Sequence, residues 1–299
     1  MASFRWAALA LLLMPLPAPA QELEPGAYWP IAKSINIITA VNSFNWGDLA
    51  FDPALPIEEA RARINTTVIA FTRAFSLAGR SANAGLVLPV VGGHLEGLYL
   101  GAPAETGRFG LGDPRVRLAM NLYGAPAMTP REFASYVQET IVGVSITVAP
   151  PLGQYDSAKV INLGTHRWSF KPELGFSQTV GHWVVEMMAG VWVFTDNTDF
   201  QGERTRTQAP IVATQAHLTY KFNRTRWLAA DANFYTGGRT SIDGNANLDL
   251  QKNSRVGATF SSAIGGRQAI RMSVSRGAYT TIGADFNSVA VSYSYAWVR

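Results

Sequence analysis

Charged side chains are few in this chain, and their spacing is the first feature that could do chemistry. Lys171 and Glu173 stand two residues apart, as do Arg115 and Arg117. Glu186, His217, Lys221, Asp231, Arg255 and Arg271 each sit inside stretches that otherwise alternate apolar and small residues. Residues two apart on a strand share a face, so these positions read as the polar inner lining of a sheet closed on itself. Such a lining serves either as a solute path or as a ladder of ion pairs that fills the middle. Both signs of charge are present, and both readings stand.

Other chemistry is poorly supplied. Of the four histidines, His94, His166 and His182 fall in loops or turns, and none of the four belongs to an H-x-S step. His217-Leu218-Thr219 comes nearest and makes a poor nucleophile arrangement, so no enzyme is expected. Asp243-Gly244-Asn245-Ala246-Asn247-Leu248-Asp249 has the oxygen-ligand spacing of half a calcium loop. Its glycine is not at the sixth position, and Ser254, at the twelfth, is no bidentate acid. It reads as a polar loop tip; neither a metal nor a cofactor is expected.

The elements that must position the charged residues are ribbons. Trp168, Phe170, Leu174 and Phe176 share one parity, while Lys171, Glu173, Gly175 and Ser177 share the other. After Gly181-His182 the pattern resumes, with Trp183, Val185, Met187, Val191 and Val193 opposite Val184, Glu186, Met188, Gly190 and Trp192. Aromatic residues gather at strand ends, where a membrane interface favours them. Trp168, Phe170 and Trp183 flank this hairpin, and Tyr293, Tyr295 and Trp297 lie on one face of the last ribbon, opposite Ser292, Ser294 and Ala296. The fold expected is all-β: a transmembrane antiparallel β-barrel of about twelve strands, counted along the chain and even in number as this class requires.

Composition agrees. Only 15% of residues are charged although 47% are hydrophobic, against about a quarter charged in ordinary soluble domains. The net charge of +4 is mild and its basic residues are scattered, which argues against nucleic acid as a partner. There is no cysteine, so a hydrogen-bonded ring must replace disulfides. Arg5, the apolar run after it and Ala18-Pro19-Ala20 make a secretory signal over residues 1–20. A leader follows at 21–34, without strand period and containing Pro25, Gly26 and Pro30, and the barrel is expected to occupy 35–299.

Taken in order, strands are expected near 35–44, 63–77 and 80–91, separated by long connections at 45–62 and 92–113. Thr129-Pro130-Arg131-Glu132 reads as a capping box that opens a short helix. Further long connections fall at 150–165, 195–208 and 237–253, and tight turns at Gly181-His182, Asn223-Arg224-Thr225 and Gly265-Gly266-Arg267. Alternation of long outer loops with short periplasmic turns is the habit of outer-membrane barrels.

Several stretches then carry a resemblance: Leu23-Glu24-Pro25 with Ala27-Tyr28, Gly110-Leu111-Gly112-Asp113-Pro114 and Pro151-Leu152-Gly153-Gln154-Tyr155. Asn162-Leu163-Gly164, Arg167 through Glu173, Gly190-Val191-Trp192 and Tyr235 through Thr240 continue it over nearly the whole mature chain. The chain resembles the outer-membrane transporter family named for the meta-cleavage pathway of phenol degradation. It departs from that pattern at Gly26, where a basic residue is expected, and at His166, where asparagine is. The resemblance implies an outer-membrane channel or transporter for small, hydrophobic or aromatic compounds, passive or gated. The alternatives are a structural or adhesive barrel acting through its outer loops, and a lipid-modifying enzyme of the outer membrane. The partners expected are outer-membrane lipid and lipopolysaccharide, a small hydrophobic solute, and the barrel-assembly machinery. The expected location is the cell outer membrane of a Gram-negative bacterium, after export to the periplasm.

Overall fold

The structure is a computed structural model that describes residues 23–50, 57–99, 101–159 and 162–298. The expected signal at 1–20 lies outside the described residues, as does the tip of the first connection at 51–56.

Alternating residues commit the chain to strands, and the strands commit it to a ring. The first five are β1 (Ile35–Ala50), β2 (Ile57–Leu77), β3 (Arg80–Tyr99), β4 (Ala102–Leu111) and β5 (Arg115–Tyr123). A short helix α1 (Pro130–Ser135) precedes β6 (Thr140–Ala149), β7 (Ser169–Val180), β8 (Trp183–Phe194), β9 (Asn197–Phe200) and β10 (Arg204–Gln208). Then come β11 (Ile211–Asn223), β12 (Arg226–Gly237), β13 (Thr240–Ile242), β14 (Asn245–Ala246), β15 (Gln251–Gly265), β16 (Gln268–Tyr279) and β17 (Gly283–Val298). Neighbours run β2-β1-β17-β16-β15-β12-β11-β8-β7-β6-β5-β3, all antiparallel, and the β2–β3 pairing closes a twelve-stranded barrel. The first and last strands join in unbroken register from Ile35↔Val298 to Ala50↔Gly283. Closure leaves this ring no free edge, which is what a chain without water around it requires.

Burial follows parity. Outward side chains such as Ile69, Leu88, Leu118, Leu174, Val185 and Met272 are exposed and apolar around the ring, the lipid-facing pattern of a spanning barrel. Aromatic pairs mark both rims. Trp168 stacks on Phe170 at 6.2 Å where β7 begins. At the short-turn end Trp183 meets Tyr220 at 4.9 Å, and Trp297 lies 6.1 Å from both Tyr295 and Phe71. Tyr293, one turn of the pleat higher, is 43% exposed.

Two expected connections are strand instead. β1 runs on to Ala50, β2 starts at Ile57, and β3 and β4 meet tightly around Gly101, so most of 45–62 and 92–113 is ladder. These segments rise past the apolar belt, where neither face needs to be greasy. Gly92, Gly93, Glu96 and Gly97 therefore carry no alternation that announces a strand. β4 and β5 are one ring strand interrupted at Gly112-Asp113-Pro114, since both pair with β3. Pro114 has no N–H to give the ladder, and Asp113 instead accepts the backbone N–H groups of Gly153 and Thr165 at 2.9 and 2.8 Å. The connections at 195–208 and 237–253 also hold structure, a four-stranded sheet in the order β14-β13-β10-β9. The capping box forms as expected: Glu132 N–H donates to the Thr129 hydroxyl at 3.3 Å, and Thr129 N–H to the Glu132 carboxylate at 2.7 Å.

Candidate functional site

The lumen is the site, and its first occupant is the chain itself. Leader residues from Leu23 to Ser34 lie inside the barrel, nearly all of them buried. Gly26 makes the turn that lets them enter, at φ +84°, a left-handed conformation costly for other residues. Its N–H donates to both oxygens of Glu186 at 3.1 and 3.2 Å, and Glu24 N–H donates to the Gln215 side chain at 2.9 Å. The departure from the family pattern at Gly26 thus has a conformational use.

Tyr28 is the deepest fixture. Its ring lies against Gly143 and Gly175, which face one another across the β6–β7 pair. A Cβ on Gly175 would come within 2.1 Å of the ring, and one on Gly143 within 2.3 Å, so only glycine leaves room. The Tyr28 hydroxyl donates to Glu173 at 3.0 Å, which leaves the 3.0 Å contact with Ser145 for the serine to donate. Asn121 donates to the Tyr28 carbonyl at 3.0 Å, and the Arg117 guanidinium sits 5.2 Å from the ring centre. Toward the short-turn end Trp29, Ile31 and Ile35 join Trp227, Phe133 of α1 and Met128 in an apolar core. Lys33 N–H to Met128 O (2.8 Å) and Ser34 N–H to Ala74 O (2.9 Å) tie the base of the leader. That end of the barrel is filled.

The charged inward residues gather into two groups. Lys171 and Glu173 pair at 2.7 Å, with Arg117 at 3.8 Å from the same carboxylate. Glu186 does not belong with them. The register sets Glu173 opposite Gly190 and Glu186 opposite Ser177, so Glu186 lies farther down the ribbon. Its cross-strand neighbour is His217. His217 Nδ1 donates to Asp231 at 2.7 Å, and Asp231 accepts Thr259 Oγ1 at 2.7 Å on its other oxygen. Arg271 lies 5.0 Å over the Trp227 ring. Lys221, at the filled end, lies 4.0 Å over Trp29. The His217–Asp231 pair faces the lumen, not lipid, which is the wrong side for an enzyme acting on outward lipid. Asp243 accepts Thr205 N–H at 2.8 Å and pairs with Arg204 at 2.9 Å, and its carboxyl is held below the usual range mainly by that backbone bond. Asp249 accepts Thr240 N–H at 2.8 Å. Both acids of the calcium-like stretch thus tie the outer sheet together.

Over the leader lies a cavity of about 640 Å³, floored in part by Leu23 and Pro25. Its two sides differ. One carries Val41, Ile64, Val68, Val87, Pro89 and Val91 among the inward residues of β1, β2 and β3, with Ser43, Asn45 and Thr66 between them. The rest of the wall, from β5 round to β16, presents Arg115, Arg167, Arg255 and Arg271 with Trp192 and Phe194. Arg115 and Lys171 flank Trp192 at 5.8 and 5.7 Å, and Arg167 stacks 4.3 Å over Phe194. Arg255 reaches across to Ser275 and Ser288 at 2.9 and 3.0 Å. Burial first, and then Arg206, pulls the Arg167 guanidinium down to about 10, so it stays cationic near neutral pH. Reasoning from the sequence set Trp192 on the inner face with Glu186, but it missed Tyr28 and Arg167 as lumen residues and did not show that Gly143 meets Tyr28. Tyr28 and Trp192 stood in the quoted motifs, whereas Gly143 reads as any small inward residue until its partner across the strand is known.

An antiparallel twelve-stranded barrel with an apolar outer belt, aromatic rims and an occupied polar lumen is an outer-membrane type of barrel. The profile of the family described as "Putative MetA-pathway of phenol degradation" matches residues 35–297, and the chain belongs to that family. Among solved structures, an outer membrane channel from Pseudomonas putida F1 superposes with a TM-score of 0.78 at 19% identity, covering 92% of this chain and 100% of that one. The transport unit of the autotransporter AIDA-I from Escherichia coli gives 0.50 at 8% identity, over 98% and 96%. The CymD monoaromatic hydrocarbon channel gives 0.48 at 10% identity, over 90% of each chain. At these identities the likeness concerns the fold. No curated protein sequence matches the chain.

Proposed function

We propose that the protein is an outer-membrane channel for small hydrophobic or aromatic molecules, gated by the leader at Leu23–Ser34. One observation carries the reading: an outer cavity with an apolar side rests directly on a segment that is no part of the barrel's ladder. The leader's fixtures above its base are hydrogen bonds to side chains such as Glu186, Gln215 and Glu173. Its departure therefore costs none of the ring's ladder bonds. A twelve-stranded ring is narrower than the 16–18-stranded porins that leave an aqueous channel, which suits small solutes and a gate. Lipid on the outward belt, lipopolysaccharide around the outer strands and the barrel-assembly machinery are the partners such a molecule would need after export. The test is initial accumulation of a radiolabelled aromatic carbon source in cells with and without the gene. Faster entry with the gene supports the reading; equal rates across a panel of aromatic and aliphatic solutes would contradict it.

A further inference from the structure

One charged side chain stands on the lipid side of the wall. Toward the short-turn end β2 turns Ile69, Phe71, Arg73, Phe75 and Leu77 outward in succession, and Arg73 is exposed among these apolar neighbours. Across the ladder it faces Asn36 of β1 and Ala84 of β3, and Asn36 in turn pairs with Trp297 of β17. Asn36, although on the outward parity, is buried between them. A second arginine reaches the same place from the other direction. Arg267, in the β15–β16 turn, accepts Ala296 N–H at 2.8 Å through its carbonyl, and its guanidinium donates to the Tyr295 hydroxyl at 3.5 Å. Tyr295 stacks on Trp297 at 6.1 Å, and Phe71 lies 6.1 Å from Trp297 on its other side. Aromatic rings thus bridge Arg267 to Arg73 across β17 and β1. The strand ends that meet here, 35–42, 66–77, 266–273 and 290–298, contain no aspartate or glutamate. A guanidinium facing lipid is costly unless an anion meets it.

We infer that Arg73 and Arg267 hold the phosphate of an anionic phospholipid in the periplasmic leaflet, with its acyl chains along Ile38, Ile69 and Phe71. Those three side chains are exposed and continue the apolar belt upward from the arginines. Short turns face the periplasm in this class of barrel, and aromatic residues settle at headgroup level. The planar fork of arginine takes two phosphate oxygens at once. A zwitterionic head brings its own cation, which the two guanidiniums repel; phosphatidylglycerol brings none. Lipopolysaccharide also carries phosphates, but in the leaflet beside the long loops. The site lies on the outer wall and is independent of what the lumen passes.

The experiment is native mass spectrometry of the detergent-solubilised full chain, titrated with phosphatidylglycerol or with phosphatidylethanolamine of the same acyl chains. The parent should hold phosphatidylglycerol roughly tenfold more tightly, and Arg73→Gln and Arg267→Gln should each weaken that binding about fivefold. Neither variant should change the binding of phosphatidylethanolamine. Arg73→Lys should recover only part of the loss, because the charge returns without the fork. Arg226→Gln removes an exposed outward arginine at the same end, on β12 and outside the cluster, and should leave binding as in the parent. Heat-modifiable gel migration verifies that each variant is folded, and the two glutamine variants at the site back one another should one misfold. Equal binding of the two lipids by the parent would overturn the site, as would a loss at Arg226→Gln as large as at Arg73→Gln. Displacement of the lipid by excess inorganic phosphate, or tighter binding of lipid A than of phosphatidylglycerol through Arg73, would overturn it as well.

Discussion

The inner wall of this barrel has two different halves. Inward residues of β1, β2 and β3 above the leader are mostly aliphatic, with Val41, Val68 and Ala70 forming a small buried cluster against Val87. Inward residues from β7 through β16 include Lys171, Glu173, Glu186, His217, Asp231, Arg255 and Arg271, all buried. The leader's fixtures around Glu24, Gly26 and Tyr28 go to one side only: β5 through Asn121, β6 through Ser145, β7 through Glu173, β8 through Glu186 and β11 through Gln215. The aliphatic half is left facing a cavity. Polar residues in a lumen thus need not line a route; here many of them hold the leader, and the cavity's apolar residues are the ones a sequence reading passes over as greasy.

Variants can break or sharpen this contrast. The largest effect is expected at Gly175→Val, which places a side chain where the Tyr28 ring lies. Single-channel conductance in planar bilayers should rise at least tenfold over the parent with the barrel still heat-modifiable. A folded variant with parental conductance would show that Tyr28 does not hold the lumen shut. Next, Lys171→Met removes one partner of a buried pair, a change that costs about 3–5 kcal/mol when nothing replaces it. Because Arg117 and Tyr28 remain on Glu173, denaturant midpoints should shift by the lower part of that range. Val68→Thr on the aliphatic half should cost only about 1 kcal/mol; equal losses from the two would erase the distinction between the halves.

Faces of the wall come next. Tyr293→Arg puts a charge on the lipid side, at about 2–4 kcal/mol if near the midplane, and surface yield should drop. Its inward neighbour Ser292 is 3% exposed and sits opposite Arg271, so it makes a poor control. Ser43→Arg, on the cavity side, should fold and instead change which solutes enter. The smallest effect belongs to Thr129→Ala, which removes the cap of α1 beneath the leader. Glu132 is held below its ordinary value first by the Thr129 N–H. Its contribution is therefore present above the unfolded carboxylate range and lost as pH falls through the folded value. The variant keeps that backbone N–H and loses only the hydroxyl contacts, so the acid-side dependence in thermal melts should shrink without vanishing.

Much of the architecture was legible because a half-buried strand writes its faces at period two. Trp183 through Phe194 and Val289 through Val298 show this, and there the expected sides match the observed burial. The outer parts of β2 to β4 were not legible, since strand with water on both faces has no alternation to read. Inward membership of Lys171 or Asp231 followed from parity alone. Which of them meet did not, because pairing depends on stagger between strands: Glu186 lies beside His217 and not beside Glu173. The slot for Tyr28 was hidden for a related reason. It exists only where Gly143 and Gly175 come into register from strands separated by a long loop.

The central claim is that solutes pass only when the leader moves, and the absence of native cysteine makes a direct test clean. Glu24→Cys and Gln215→Cys, at the 2.9 Å contact between leader and β11, can be joined by a short reversible thiol cross-linker. Entry of a radiolabelled aromatic solute is then measured in cells carrying the parent, the cross-linked protein and the same protein after reduction. Entry should fall to the level of cells lacking the gene on cross-linking and return on reduction. Undiminished entry with the leader tethered would contradict the account.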